Sequence, residues 1–448
     1  MLGTVGGGGK RDVPRGVVVL SLIATAVLVV QLGRMSVYMV DPAATGWSIM
    51  PWNEFGTLHN CFTGYWAAAR DVDTNPNVWG ADLNTSPGPT PGARIPKRLG
   101  PFAIDQYEYT PTFLIVPRML MWVVSDFDAA RTVWYVLNLV IVGAAILAVA
   151  RRLEPAIGPA VLWLAPLILV PLSILGTFQA GNLQLACVAG SLLAMLWLER
   201  ARDAASPTLL YAAGALLLAC MTVSKLYPGM LVVYLLARGE WRAVLWTAAA
   251  GVLLVLVGLV DLGLPAHLAF VDHLPHLLSG ETFPNLRNPN GISANMSVPG
   301  IVRKLSIYGL PWSSFDAMRV VGWIYTLVVL AIVAYLARAR RSAAREPIVW
   351  LVILLLATFR SPVLPVYGIF PTVWLLTILL AARWDSSFVR SVLLAWFVAL
   401  ALLTPSWTLW PPVVHAIVTT VVLTAGSLLL AAAALRVKLD VPEQLQRR

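Results

Sequence analysis

Long apolar stretches recur along almost the whole chain, and they constrain its fold more than any other feature. A stretch of roughly 18 or more apolar residues is long enough to cross a hydrocarbon core about 30 Å thick. Only 12% of the residues are charged, against about 25% in ordinary soluble domains. The sequence therefore predicts an all-α polytopic membrane protein that is a single domain over residues 1–448, with membrane lipids as its solvent.

Short clusters of basic residues between the apolar stretches predict the topology, because such clusters stay on the cytoplasmic side. Their spacing in short loops, rather than along one polar face, argues against nucleic acid as a partner despite the net charge of +10. About twelve helices place every cluster inside, with both termini cytoplasmic. The clusters are Lys10 to Arg15, Arg151 and Arg152, Arg200 and Arg202, Arg238 and Arg242, Arg338 to Arg345, Arg383 and Arg436 to Lys438. The predicted helices lie near 16–35, 131–151, 157–175, 180–199, 207–224, 226–238, 244–263, 317–338, 346–359, 364–383, 387–404 and 412–435.

Two sizeable loops remain on the external side in this topology, a first loop over 36–130 and a second over 264–316. The first loop contains FTGYWAAAR, whose spacing suits an interfacial amphipathic helix. The apolar segment from Pro111 to Val124 is short for a span and is expected to be re-entrant or interfacial. Any chemistry is therefore expected in these loops, at the external face.

Several polar residues at external helix ends are candidates for binding. Gln179 and Asn182 are three residues apart, which on one helix face would direct both amides to sugar hydroxyls or to a hydrogen bond between helices. Lys225 and Arg360 each stand beside a proline-containing helix break, without an acidic neighbour in sequence. Such cations suit a lipid phosphate, although snorkelling to the surface is the alternative for Lys225. Arg303 and Asn295 stand in a polar stretch of the second loop.

Candidate general bases are the carboxylates that follow the first helix, Asp41 and Glu54, whose apolar and aromatic neighbours can raise a carboxylate pKa. Asp105 and Glu108 are the next candidates. The three cysteines have neither CxxC nor histidine spacing, so the sequence predicts no metal site, no disulfide framework and no cofactor.

The order of these motifs resembles glycosyltransferase family 87, within the C-type superfamily of polyprenyl-phosphate-sugar-dependent enzymes, which includes mycobacterial mannosyltransferases and arabinofuranosyltransferases. The resembling pieces run in order over about residues 16 to 370. They are FTGYWAAAR, YEYTPTFLIVPRML, GTFQAGNLQL, SKLYPGMLVVYLLARGEWRA, NMSVPGIVRKL and FRSPVLPVYGIFP.

The resemblance implies a polyprenyl-phosphate sugar donor, a lipid or glycan acceptor hydroxyl and an acidic base in the first loop. Where the family often has aspartate, this chain has Cys61. Glu54, Asp41 or His59 would then replace the base, with Glu54 ranked first. Lys225, Arg360 and Arg303 would bind the donor phosphate, and Gln179, Asn182, Asn295 and Tyr65 the sugar or acceptor.

Two other functions fit part of this pattern. A secondary transporter also has about twelve helices, but it would keep its external loops short. A polymerase or ligase of lipid-linked glycans shares the external cations and would favour the second loop as its largest. The abundance of Ala, Val, Leu and Arg indicates a bacterial cytoplasmic membrane, with the active site facing outside.

Overall fold

The computed structural model describes residues 13–436, except 91–92, 154, 156, 340–341 and 404–409. Lys10, Arg11 and Lys438, which belong to the predicted cytoplasmic clusters, lie outside the described residues. The described helices are α1 Arg15–Val40, α2 Glu54–Leu58, α3 Phe62–Asp71, α4 Ile115–Val123, α5 Phe127–Arg152, α6 Gly158–Trp163, α7 Ala165–Leu169, α8 Leu172–Gln179, α9 Gln184–Asp203, α10 Thr208–Ser224, α11 Gly229–Ala237, α12 Trp241–Ser279, α13 Pro289–Ala294, α14 Gly300–Lys304, α15 Phe315–Arg338, α16 Glu346–Thr358, α17 Phe370–Ala382, α18 Ser387–Leu403, α19 Pro412–Val418 and α20 Gly426–Arg436, the last two joined by a π-helix at Thr419–Ala425. The strands are β1 His59–Asn60, β2 Thr85–Pro87, β3 Arg94–Pro96, β4 Arg98–Leu99 and β5 Phe102–Ile104.

Long apolar helices make this an all-α membrane protein, as expected. Five helical stretches of the described chain are long and apolar enough to cross a membrane, or six when α8 and α9, bent by 96°, count as one span. Only 22% of the apolar window in Arg15–Val40 and 17% of that in Trp241–Arg287 is buried, so these surfaces suit contact with lipid.

The expected count of about twelve spans stays a prediction, because several predicted helices are broken or short. The segment predicted as one helix over 157–175 is divided among α6, α7 and the start of α8, with Pro166 and Pro171 at the starts of α7 and α8. Proline removes a backbone donor and ends a helix. The helix predicted over 226–238 begins only after Pro228, and α11 has nine residues, too few to cross alone.

Arginines from three of the basic clusters meet at one end of the helices. Glu199 binds Arg152 at 2.8 Å and Arg202 at 3.5 Å, and Arg202 also binds Glu240 at 2.5 Å. Arg238 pairs with Glu346, which also accepts a hydrogen bond from Tyr234. This charged network joins the ends of α5, α9, α11, α12 and α16, in agreement with the expectation that these clusters share one side.

The first loop folds as a compact unit around α3 and two small sheets. In the larger sheet, β5 lies between β1, its parallel partner, and β4, its antiparallel partner, and β2 and β3 form a separate hairpin. All residues of α3 from Phe62 to Ala69 are buried. The expectation of a helix there is confirmed, but an interfacial, half-exposed position is wrong, because aromatic rings from α5 and its N-terminal turn, including Trp134, cover Phe62.

The segment after Pro111 matches its prediction more closely. It forms the short helix α4, preceded by a 3₁₀ turn at Pro111–Leu114. Met119, Trp122 and Val123 are 54%, 76% and 84% exposed, which is the apolar surface expected of an interfacial helix.

The second loop begins later than its sequence suggests. Gly263 has a φ of 79° and interrupts α12, which then continues to Ser279. The chain after α13 docks on the break between α16 and α17, where Met296 N donates to the Leu364 carbonyl at 2.9 Å and Val298 N to the Phe359 carbonyl at 3.0 Å. The second loop therefore covers a helix break.

Candidate active site

The register of β1 and β5 creates a cluster of three reactive side chains. His59 lies opposite Ala103 and Asn60 opposite Ile104, so continuing the parallel register sets Cys61 beside Asp105. Alternation along a strand puts His59 and Cys61 on one face. The His59 Nε2 atom is 3.3 Å from Cys61 Sγ and 3.8 Å from Asp105 Oδ2. His59 and Asp105 are partly exposed, with side-chain exposures of 23% and 33%, so a ligand can reach them.

Close backbone packing fixes Asp105 against the start of α3. The Asp105 N–H donates to Thr63 Oγ1 at 2.9 Å, and a Cβ on Gly64 would stand 2.8 Å from the Asp105 carbonyl oxygen. A side chain at position 64 would therefore push the two segments apart. The Oδ1 atom of Asp105 accepts a hydrogen bond from Gln106 N at 3.0 Å, which holds the carboxylate in one orientation.

The break between α8 and α9 brings Asn182 to the same cluster. Gly181 has a φ of 67°, which favours glycine, and the Cys61 N–H donates to the Ala180 carbonyl at 2.7 Å. Asn182 Nδ2 donates to Cys61 Sγ at 3.4 Å. The prediction that Gln179 and Asn182 share one helix face is wrong, because the chain bends between them.

Gln179 has a supporting role in this arrangement. Its Oε1 atom accepts from Ile49 N at 2.7 Å, and its Nε2 atom donates to the Gly56 carbonyl at 2.6 Å. Both ends of the amide are therefore used to hold the first loop on α8.

Lys225, at the break between α10 and α11, contacts the oxygen of the Asn182 amide, whose nitrogen contacts Cys61. Its ammonium donates to Gln184 Oε1 at 3.1 Å and to Asn182 Oδ1 at 3.4 Å. Pro228 follows within the break and precedes α11. One amide, that of Asn182, therefore connects the cation to the cysteine.

Tyrosine rings surround the ammonium group. It lies 5.3 Å from the ring centroid of Tyr109 and 5.4 Å from that of Tyr367, within the range of cation–π attraction. Tyr65, whose ring is buried, shares a hydrogen bond of 2.6 Å with the Tyr109 hydroxyl. We call His59, Cys61, Asp105, Asn182, Gln184 and Lys225, with Tyr65, Tyr109 and Tyr367, the polar cluster.

Burial and charge set the protonation of two groups of the first loop. Burial is the largest cause that raises the pKa of the Cys61 thiol, and the nearby Asp105 carboxylate raises it further. Burial also raises the pKa of Glu108. The hydrogen bond with His273, at 2.9 Å, acts in the opposite direction but is the smaller effect. The thiol is therefore neutral at pH 7 when nothing is bound to it.

The carboxylates ranked first from sequence lie apart from the polar cluster. Glu54 is exposed in the first turn of α2, where a carboxylate suits the helix dipole. Asp41 ends α1, is exposed and accepts a hydrogen bond from Ala43 N at 2.9 Å. Of the three predicted bases, His59 is the one that the structure places in the polar cluster.

Three further candidates make internal contacts near the second loop. Arg360 Nε donates to Thr326 Oγ1 at 2.6 Å, and Arg303 Nη2 donates to the Leu286 carbonyl at 3.0 Å. Asn295 donates to the Pro362 carbonyl at 2.9 Å and accepts from Leu364 N at 2.9 Å. The contacts described for these three residues do not include Lys225, so the expected grouping of Arg360 and Arg303 with Lys225 at one phosphate stays a prediction.

Sequence reasoning missed the partners that the fold adds. Asp105 was ranked behind Asp41 and Glu54, although it follows a short apolar run that reads as a strand. Gln184 was not singled out, yet its Nε2 atom has no hydrogen-bond partner among the described residues and is buried. A buried donor of this kind is costly to leave unpaired and suits a ligand oxygen.

Long apolar helices and a partly exposed cluster of acid, base and cation beneath the folded first loop define the class of a membrane enzyme. The sequence model of glycosyltransferase family 87 matches residues 107–365, more than half of the chain, and the protein belongs to this family of membrane glycosyltransferases. Neither the curated proteins nor the solved structures compared with the chain gave a match. The matched range includes Asn182, Gln184 and Lys225 but begins after His59, Cys61 and Asp105.

Proposed function

We propose that the protein transfers a sugar from a polyprenyl-phosphate donor to a hydroxyl of a lipid or glycan acceptor, at the external face of a bacterial cytoplasmic membrane. The observation that carries this proposal is the polar cluster, in which the Asp105 carboxylate and His59 stand on one side of Asn182 and the Lys225 ammonium on the other. A base at the acceptor hydroxyl and a cation at the leaving phosphate both promote glycosyl transfer.

In the proposed reaction, Asp105 acts as the general base. Its Oδ2 atom takes the proton of the acceptor hydroxyl, and the freed oxygen lone pair forms a bond to the anomeric carbon of the sugar. The bond from that carbon to the phosphate oxygen breaks, and its electron pair leaves with the phosphate. Attack opposite the leaving group inverts the anomeric centre. His59, 3.8 Å from Oδ2, is suited to orient the carboxylate.

Lys225 is the cation proposed for the donor phosphate. It is partly exposed and its described hydrogen bonds go to neutral amides, so its positive charge is available to an anion. A preorganised charge beside the leaving oxygen stabilises the transition state. The unpaired Nε2 donor of Gln184 would bind a sugar or phosphate oxygen next to it.

An open cleft that Gln106 lines supports binding of a polar acceptor. It has a volume of about 330 Å³ and is lined by Trp79, Gln106, His273, Thr282 and Arg287, among others. Clefts of roughly 300 to 1,000 Å³ hold small ligands. Gln106 follows Asp105 directly, so a sugar headgroup in this cleft is near the proposed base.

Incubation with defined donors tests the function. Purified protein in nanodiscs is supplied with polyprenyl phosphomannose or polyprenyl phosphoarabinose and an extract of bacterial membrane lipids. We expect release of polyprenyl phosphate and a new glycosylated lipid by mass spectrometry. Consumption of nucleotide sugars instead, with both lipid-linked donors untouched, would contradict the proposal.

The external position of the site is tested by labelling single introduced cysteines in intact cells. We expect Thr90→Cys and Asn290→Cys to react with an impermeant thiol reagent, and Ser342→Cys to react only after lysis, because the basic clusters near position 342 should be cytoplasmic. Unmutated protein, which contains Cys61, Cys187 and Cys220, is the blank, and any labelling of these thiols is subtracted. Reaction at 342 with protection at 90 and 290 would reverse the orientation.

A further inference from the structure

His59, Cys61 and Asp105 form a set of side chains with the chemistry of a metal site. One nitrogen, one sulfur and one carboxylate oxygen from these residues all lie within 4.8 Å of one another. Zinc binds sulfur at about 2.3 Å and nitrogen or oxygen at about 2.0 to 2.2 Å, so tetrahedral ligands stand roughly 3.4 to 3.6 Å apart. The measured separations of 3.3 Å and 3.8 Å bracket this range.

We propose that these three residues bind one zinc ion. A thiolate, an imidazole and a carboxylate suit zinc, whereas magnesium and calcium prefer oxygen ligands alone. Three protein ligands leave a fourth tetrahedral position, which a water molecule would fill.

The surroundings of the cysteine support a bound sulfur anion. Asn182 Nδ2 donates to Cys61 Sγ at 3.4 Å, and Lys225 holds the oxygen of the same amide at 3.4 Å. Hydrogen bonds from neighbouring groups to the ligands are characteristic of metal sites. On binding, the Cys61 S–H bond breaks, its proton goes to water and the sulfur lone pair forms the bond to zinc. Asp105 contributes the second negative charge, so the site neutralises the ion.

The carboxylate is oriented for this role before any ion binds. Gln106 N occupies Asp105 Oδ1, which leaves Oδ2 facing His59. Closing the cluster around an ion requires only side-chain shifts of up to about 1 Å, because the three ligands are attached to strand ends held in register. Oδ2 is also the atom assigned to proton abstraction, so Asp105 cannot act as the base while it binds zinc. A bound zinc ion would therefore inhibit the proposed transfer, and the inference is tested by binding alone.

Metal binding to the purified full-length protein tests this inference. The protein is stripped of metal with a chelator and titrated with Zn²⁺ or Co²⁺. The variants Cys61→Ser and His59→Gln are treated in the same way. The control is Cys187→Ser, which alters a buried cysteine that is not one of the three proposed ligands. We expect one equivalent of zinc, a cobalt–thiolate charge-transfer absorption, and no displacement by excess Mg²⁺. Cys61→Ser should lose the absorption and bind zinc at least roughly 100-fold more weakly.

The outcome that overturns the inference is equally direct. Unmutated protein that takes up less than one tenth of an equivalent of zinc, or an absorption that survives in Cys61→Ser and disappears in Cys187→Ser, excludes this site. If Cys61→Ser does not fold, His59→Gln gives the same test, because it keeps the thiol and removes the nitrogen ligand. Thermal unfolding curves identify variants that fail for structural reasons.

Discussion

Asp105→Asn is expected to lower sugar transfer by roughly 10² to 10⁴, the usual effect of losing acid–base catalysis. The substitution keeps the size of the side chain and its hydrogen bond to Gln106 N, but an amide cannot accept the hydroxyl proton. Binding of the donor should change little, because the donor phosphate is assigned to Lys225. Single-turnover transfer, measured with saturating donor, separates the chemical step from binding.

Two comparison variants make the Asp105 experiment specific. Glu54→Gln tests the base ranked first from sequence. We expect a transfer rate close to that of the unmutated protein, because Glu54 is exposed and lies outside the polar cluster. Asp272→Asn removes an exposed carboxylate from α12 and controls for the general loss of negative charge. If Glu54→Gln is inactive while Asp105→Asn transfers normally, the base is Glu54 and the assignment to Asp105 is wrong.

Lys225→Met is expected to weaken donor binding by roughly 10- to 150-fold. A hydrogen bond to a charged group contributes about 1.5 to 3 kcal/mol, and about 1.4 kcal/mol corresponds to a tenfold change in affinity. Methionine keeps an unbranched apolar side chain and removes the ammonium, with its charge and its hydrogen bonds to Asn182 and Gln184. Titration with polyprenyl phosphate in nanodiscs, followed by native mass spectrometry, measures the effect.

Arg360→Met is the matched comparison for Lys225→Met. Arg360 donates to Thr326 and lies over the ring of Trp323, so its loss should lower thermal stability and leave donor affinity within about threefold of the unmutated value. Lys225→Arg should restore part of the binding because it restores the charge. Normal donor affinity in Lys225→Met, with loss of affinity in Arg360→Met, would place the phosphate site at Arg360, in the break between α16 and α17.

The general class of the fold follows from the sequence because it depends on local patterns. Apolar length predicted a helical membrane protein, and the basic clusters predicted that Arg152, Arg202 and Arg238 would share one end, where the charged network joins them. Helix number was harder, because prolines such as Pro166 and Pro171 divide apolar runs without changing their hydropathy.

The site was only partly predictable, since its members meet through contacts between distant segments. Lys225 and Asn182 were recognisable as polar residues beside apolar helices, but their hydrogen bond depends on two helix breaks. Asp105 reaches Cys61 only because β5 pairs in parallel with β1, forty-odd residues earlier in the chain. No spacing rule for metal ligands or for acid–base pairs includes such a separation.

The charged network holds the helices together at one of their two ends. It fastens the ends of five helices, whereas α8, α10 and α16 end beside the polar cluster or the second loop in breaks held mainly by hydrogen bonds from loops. A prenyl tail stays among acyl chains, because moving each of its carbon groups into water costs free energy. In the proposed function, the donor would therefore reach the polar cluster laterally through the bilayer. A lateral opening between the helices would cost least at the end that lacks the charged network.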